Sequence, residues 1–166
     1  IDRHDPYPAI AIDRHWNVEA ANASATFLLG GLGIGLGDSL LDAALETSTH
    51  EAIENWPEVA QHMMARLRTE NAYLGGDPIL ERALARLSQR IDPSHISVGQ
   101  PLPAIIPTRY RSGGLVLSMF SMFAQFGTAE DIALADLKIE LMFPADPQTR
   151  QILEQLGTGK LATLTP

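Results

Sequence analysis

Apolar positions change their spacing several times along the chain, and each change predicts a different element. Ala9 to Ile12 is an unbroken apolar run of strand length, and Asp13-Arg14-His15 supplies a polar turn. Trp16, Val18 and Ala20 then alternate with Asn17 and Glu19, the pattern of a half-buried strand. Asn22 stands where a helix starting at Ala23 needs a cap, its side-chain oxygen accepting a first-turn N–H. The same Asn opens an Asn22-Ala23-Ser24 glycosylation triplet, but the cap is the better use of it.

From Gly30 to Gly37 the sequence GGLGIGLG predicts a flexible connector, because glycine resists regular structure. Asp38 caps a short helix with Leu40, Leu41, Ala44 and Leu45 on one stripe, and a second helical segment begins near Thr49. Pro57 fits a helical first turn, and Val59, Met63, Leu67 and Leu74 share a face of the helix it opens. Gly75-Gly76 closes that helix. Asp77-Pro78 starts another, striped by Leu80, Leu84, Leu87 and Ile91.

Beyond Asp92-Pro93 the spacing shortens again. Ala104 to Tyr110 predicts a strand, Ser112-Gly113-Gly114 a turn, and Leu115 to Phe126 a long strand apolar on both sides, hence covered on both. Leu134 to Phe143 alternates, and its Asp136, Lys138, Glu140 and Met142 side reads as the wet face. Asp146-Pro147 caps a last helix that stops at Gly157, and 158–166 reads as a loose tail. Two strands, several helices, then three strands and a helix predict an α+β domain whose sheet is closed over by helices.

Composition narrows the functional classes. The chain has 166 residues, 45% hydrophobic and 19% charged, enough for one real core. Its net charge of −8, from 12 basic against 20 acidic residues, repels phosphate backbones and disfavours nucleic-acid binding. The absence of cysteine removes disulfides and thiolate metal sites, and fits a reducing cytoplasm. No apolar run approaches the ~20 residues of a membrane helix. The start at Ile1-Asp2-Arg3 carries no signal-peptide pattern and reads as a piece cut from a longer protein.

Catalytic signatures are missing. The glycine run lacks the G-x-G-x-x-G offsets and follows a helix, and Gly157-Thr158-Gly159-Lys160 lacks the rest of a phosphate loop. His50-Glu51-Ala52-Ile53-Glu54 lacks the second histidine of a zinc helix, and the other histidines are scattered. No metal, cofactor or enzymatic role is expected. An apolar cavity is. Met119, Phe120, Met122 and Phe123 crowd the long strand with adaptable and aromatic side chains, which suit a flexible apolar guest as well as a plain core. Arg109 and Arg111 share a strand face and could pair with an anionic head group if that face turned inward. The expected pocket residues are Trp16, Phe27, Met63, Leu67, Met119, Phe120 and Phe123, with Arg109 or Arg111 as anion partner. Strand alternation keeps Phe120 from facing the same way as Met119 and Phe123.

Two stretches resemble a known family. PYPAIAIDRHWNVEAANASATFLL and FGTAEDIALADLKIELMFPADPQTRQIL are similar to the MmyB-like ligand-binding domain of bacterial XRE-family helix-turn-helix regulators. The family's opening, P-A-x-x-x-D-R-x-W-x-V-x-x-A-N, is matched by Pro8, Ala9, Asp13, Arg14, Trp16, Val18, Ala21 and Asn22, and its late P-A-D by Pro144, Ala145 and Asp146. The resemblance implies a PAS-like fold over 1–157: a five-stranded antiparallel sheet, helices inserted between strands two and three, and a C-terminal helix. It also implies sensing of a small apolar ligand such as a fatty acid, action as a homodimer, and DNA contact only through a helix-turn-helix domain absent from this sequence. A ligand-free dimerisation module of the regulator is the alternative.

Overall fold

The computed structural model describes residues 1–90, 103, 105–112, 114–125 and 136–157. Ile91, Ala104, Phe126, Leu134, Ala135 and the expected tail lie outside them. After a 3-10 turn at Asp2–His4 come β1 (Ala9–Ile12) and β2 (Val18–Ala21). Five helices follow: α1 (Ala23–Gly31), α2 (Leu40–Ala43), α3 (Thr47–Ala52), α4 (Trp56–Tyr73) and α5 (Pro78–Arg90). Then come β3 (Thr108–Ser112), β4 (Leu115–Gln125), β5 (Lys138–Pro144) and α6 (Pro147–Gly157).

All five strands form one sheet in the order β2-β1-β5-β4-β3, each neighbour antiparallel. The last strand of the chain therefore lies in the middle, between the first and fourth. This is the α+β, PAS-like arrangement expected from the sequence, with its helices between strands two and three and a helix at the end. The central place of β5 explains why β1 is apolar throughout: Ala9 to Ile12 is buried at every position, flanked by β2 and β5.

Asn22 is the joint between sheet and helices. Its Oδ1 accepts the N–H of Ala25, capping α1, and also the N–H of Ala9, while its Nδ2 donates to the Tyr7 carbonyl. The side chain is buried and fully used, so the cap accounts for this residue.

Two readings need correction. The glycine run is anchored rather than loose. Gly30 and Gly31 belong to α1, Ile34 is buried in the core, and the Gly37 N–H donates to the Val18 carbonyl. Its apolar residues supply the anchors, and glycine at positions 33 and 37 supplies the positive φ of the turns. The face of β5 read as wet is also the inner one. Lys138 is only 3% exposed and Met142 4%, and both point to the side that carries Ile10 and Ile12 of β1. Alternation separates two faces of a strand without saying which is covered. On β4 the outward side is not fully covered either: Val116 is 38% and Met122 57% exposed.

Replacing Asn22 by Ala strips the cap and leaves two buried N–H groups without their acceptor. Urea denaturation should show a loss of about 2–4 kcal/mol, well above an ordinary cap substitution. A loss below 1 kcal/mol would mean that Asn22 does not hold this joint.

Candidate functional site

The inner face of the sheet and the inserted helices do not meet everywhere. Between them lies a cavity of about 420 Å³, within the range of small-molecule sites. Its floor is Ile10 of β1, Tyr110 of β3, Ser121 and Phe123 of β4, and Glu140 and Met142 of β5. One side of its roof is apolar, with Leu29, Leu32, Ile34, Leu40 and Ala44 from α1, the glycine loop and the α2 region. The other side is α4, which contributes Trp56, Val59, Met63 and Arg66. The cavity reaches the surface beside Ile105, which is exposed.

Trp16 reaches the cavity by an unusual backbone. Asp13 accepts the N–H groups of His15 and Asn17 at 2.8 Å on one oxygen and the Asn17 amide at 2.8 Å on the other. The turn so fixed holds Trp16 at φ 67°, a left-handed conformation that costs a bulky residue on the order of 1–3 kcal/mol. Its indole N–H donates to Glu70 at 2.8 Å.

Glu70, on α4, is the hub of a charge network. Besides Trp16 it accepts from Lys138 Nζ at 2.8 Å and Arg66 Nε at 2.7 Å. Burial pushes its carboxyl up, but the hydrogen bonds from Lys138 and Trp16 and the charges of Lys138 and Arg66 outweigh it and hold the group below the ordinary carboxylate value. Lys138 is buried enough that desolvation lowers its own pKa despite the Glu70 partner. The Arg66 guanidinium also lies 3.2 Å above the Phe123 ring, and Lys138 lies 4.7 Å from the Trp16 ring centre.

Two further polar groups face the same space. Glu140 is pushed above the ordinary carboxylate range by burial, against the pull of a Ser121 hydrogen bond and the charges of Arg66 and Lys138. Tyr110 is raised well above an ordinary phenol by burial and by the Glu140 charge, so it stays neutral. Trp56 stacks on His50 at 4.4 Å, and its buried indole N–H has no hydrogen-bond partner among the described residues.

Of the residues expected at the pocket, Trp16, Met63 and Phe123 stand on its wall. Leu67 and Met119 are enclosed in the packed core, and Phe27 is 46% exposed. Phe120 faces away and stacks on Phe143, its partner across the β4–β5 pair, at 5.5 Å. Arg109 and Arg111 do share a face, but the outer one. They sit opposite Ser118 and Val116 and bind Glu54 and the Glu51 carbonyl. The cation on the wall is Arg66 instead. Sequence reading missed Arg66, Glu70, Lys138, Glu140 and Trp56, because a charge on a helix or an alternating strand reads as solvated. The available signal was the pair of charges, Lys138 and Glu140, on one face of an otherwise apolar strand that pairs on both edges.

The chain belongs to the MmyB-like transcription regulator ligand binding domain family, whose model matches residues 1–156. No curated protein matches it. Among solved structures it is similar to the PAS domain from Bordetella pertussis BvgS, at 13% identity and a TM-score of 0.39, over 98% of this chain and 93% of that one. No helix among the described residues is long and apolar enough to cross a membrane.

The half-buried carboxyl of Glu140 gives a pH-dependent stability effect. Its pKa is raised on folding, so the penalty is absent when both states are protonated and grows as pH climbs above the ordinary value of 4.5. Glu140→Gln should therefore unfold at a higher temperature than the parent at pH 7, and the gap should close as pH falls to about 4. Thermal melts across that range test it, and an equal gap at all pH values contradicts it.

Proposed function

We propose that the cavity receives a small, mainly apolar guest, a fatty acid or related acyl molecule, and that the domain reports its arrival to a DNA-binding helix-turn-helix unit elsewhere in the regulator. The observation that carries this reading is the 420 Å³ space itself, lined mostly by apolar side chains with a few polar groups from the sheet and the helices. Family membership supports ligand sensing, and the chain's charge of −8 leaves DNA contact to another domain.

The route for the signal is α4. This 18-residue helix forms one wall of the cavity and is tied through Glu70 to the Trp16 turn and to β5. A guest that binds one setting of α4 better than another shifts the balance of regulator states, by no more than its difference in affinity. Homodimers would present two such domains to two half-sites, from a reducing cytoplasm.

One observation favours the second reading, a dimerisation module without ligand. The outer face of β4 leaves Val116 and Met122 exposed beside the stacked Phe120 and Phe143, an apolar surface suited to a partner. The two readings divide on the contents of the cavity.

Purified chain should release an acyl molecule on denaturation, detectable by mass spectrometry. Emptied protein should gain about 5–10 °C in melting temperature from a C8 to C18 acid supplied at a hundredfold its Kd. Met63→Trp, which fills the cavity from α4, should keep the fold and abolish the shift. An empty extract with no shift from any chain length would leave the dimerisation reading in possession.

A further inference from the structure

We propose that the polar end of the cavity selects a head group that both accepts and donates hydrogen bonds, an acyl amide, held between Arg66 of α4 and Glu140 of β5. The inference rests on the ligand-binding reading above and adds the chemistry of the guest's polar end.

Arg66 and Glu140 face the same space from opposite walls. They are brought near each other by Phe123, which lies 3.2 Å under the guanidinium and pairs with Glu140 across the β4–β5 ladder. Yet they are not joined. The ion pair of Arg66 goes to Glu70 through Nε at 2.7 Å, and its remaining guanidinium nitrogens carry no hydrogen bond among the described residues. Glu140 has the Ser121 hydroxyl and the fields of the Arg66 and Lys138 charges, which leaves carboxyl capacity turned to the cavity. An unspent donor and an unspent acceptor thus flank one gap.

Three head groups meet that gap differently. A carboxylate is attracted by Arg66 and repelled by Glu140 once that group is ionised, and the Arg66 charge is already offset by Glu70. An ester can accept from Arg66 but leaves Glu140 facing a group that donates nothing. An amide satisfies both: its carbonyl accepts from the guanidinium, and its N–H donates to the Glu140 carboxyl. Of the three, the amide alone engages both Arg66 and Glu140.

Octanamide, octanoate and methyl octanoate share one chain and differ at the head, so titration of each into the purified chain at pH 7.5 tests the assignment. Octanamide should bind about tenfold tighter than the other two, the worth of one hydrogen bond to a charged group. Glu140→Leu should reverse the order in favour of octanoate, since the carboxyl that opposes it and accepts from the amide is then gone. Glu140→Gln, whose side-chain carbonyl still accepts, should hold octanamide within about twofold of the parent while octanoate gains. Octanoate binding the parent as tightly as octanamide, or an order unchanged in Glu140→Leu, overturns the head-group assignment alone. Failure of all three to bind overturns the ligand reading with it.

Discussion

The carboxylate of Glu70 is the interaction on which the rest of this domain depends. It sits on α4 and takes hydrogen bonds from three directions: the Trp16 turn between β1 and β2, Lys138 of β5, and Arg66 one helical turn earlier. Each contact offsets a cost created elsewhere. Lys138 is almost wholly buried and, left without a partner, would carry a desolvation penalty of several kcal/mol. Trp16 holds a left-handed backbone that the indole hydrogen bond helps to keep. A buried pair of this sort is seldom worth more than a hydrophobic replacement. Its contribution here is one of position: it sets where α4 stands above the sheet.

That constraint also explains the cavity. Close packing is the ordinary state of a protein interior, and a space of about 420 Å³ beneath helices rich in Leu, Met and Ala invites collapse. The polar network prevents it. α4 cannot move down onto β4 and β5 without compressing the contacts of Glu70 with Lys138 and of Arg66 with Phe123. On the opposite side the glycine loop is pinned to β2 by backbone hydrogen bonds and by Ile34, so the apolar roof is fixed as well.

The sequence made the architecture legible because its local signals agree with one another. The apolar run of β1, the Asp13 turn, the Asn22 cap and the Asp77-Pro78 helix start each have a single sensible reading, and each is present in the structure. The orientation of β5 was not legible, since Asp136-Leu137-Lys138-Ile139-Glu140 shows two faces and nothing local says which looks inward. That choice is made by pairing with β4 and with β1, the latter more than a hundred residues away along the chain. The same gap hid the polar part of the site. Arg109 and Arg111 drew attention as a pair, but β3 turns them outward, and the inward cation comes from a helix where Arg66 and Glu70 resemble an ordinary surface pair four residues apart.

A preformed, partly polar cavity changes what binding must overcome. Where a pocket has to be opened, the guest spends part of its affinity on separating the walls. Here the spacing is already set, so that cost is largely absent and selectivity can rest on the few groups that face inward. Those groups are not distributed evenly. The apolar roof of α1 and α2 accepts any chain of suitable bulk, whereas Arg66, Glu140, Ser121 and Tyr110 present fixed donors and acceptors beside α4. A guest that satisfies them touches the helix that Glu70 ties to β5, and one that does not displaces water from them without replacing its hydrogen bonds. On the proposed function, recognition and response converge on the same helix, so that a small polar head, rather than the bulk of an apolar chain, would decide which setting of the domain is favoured.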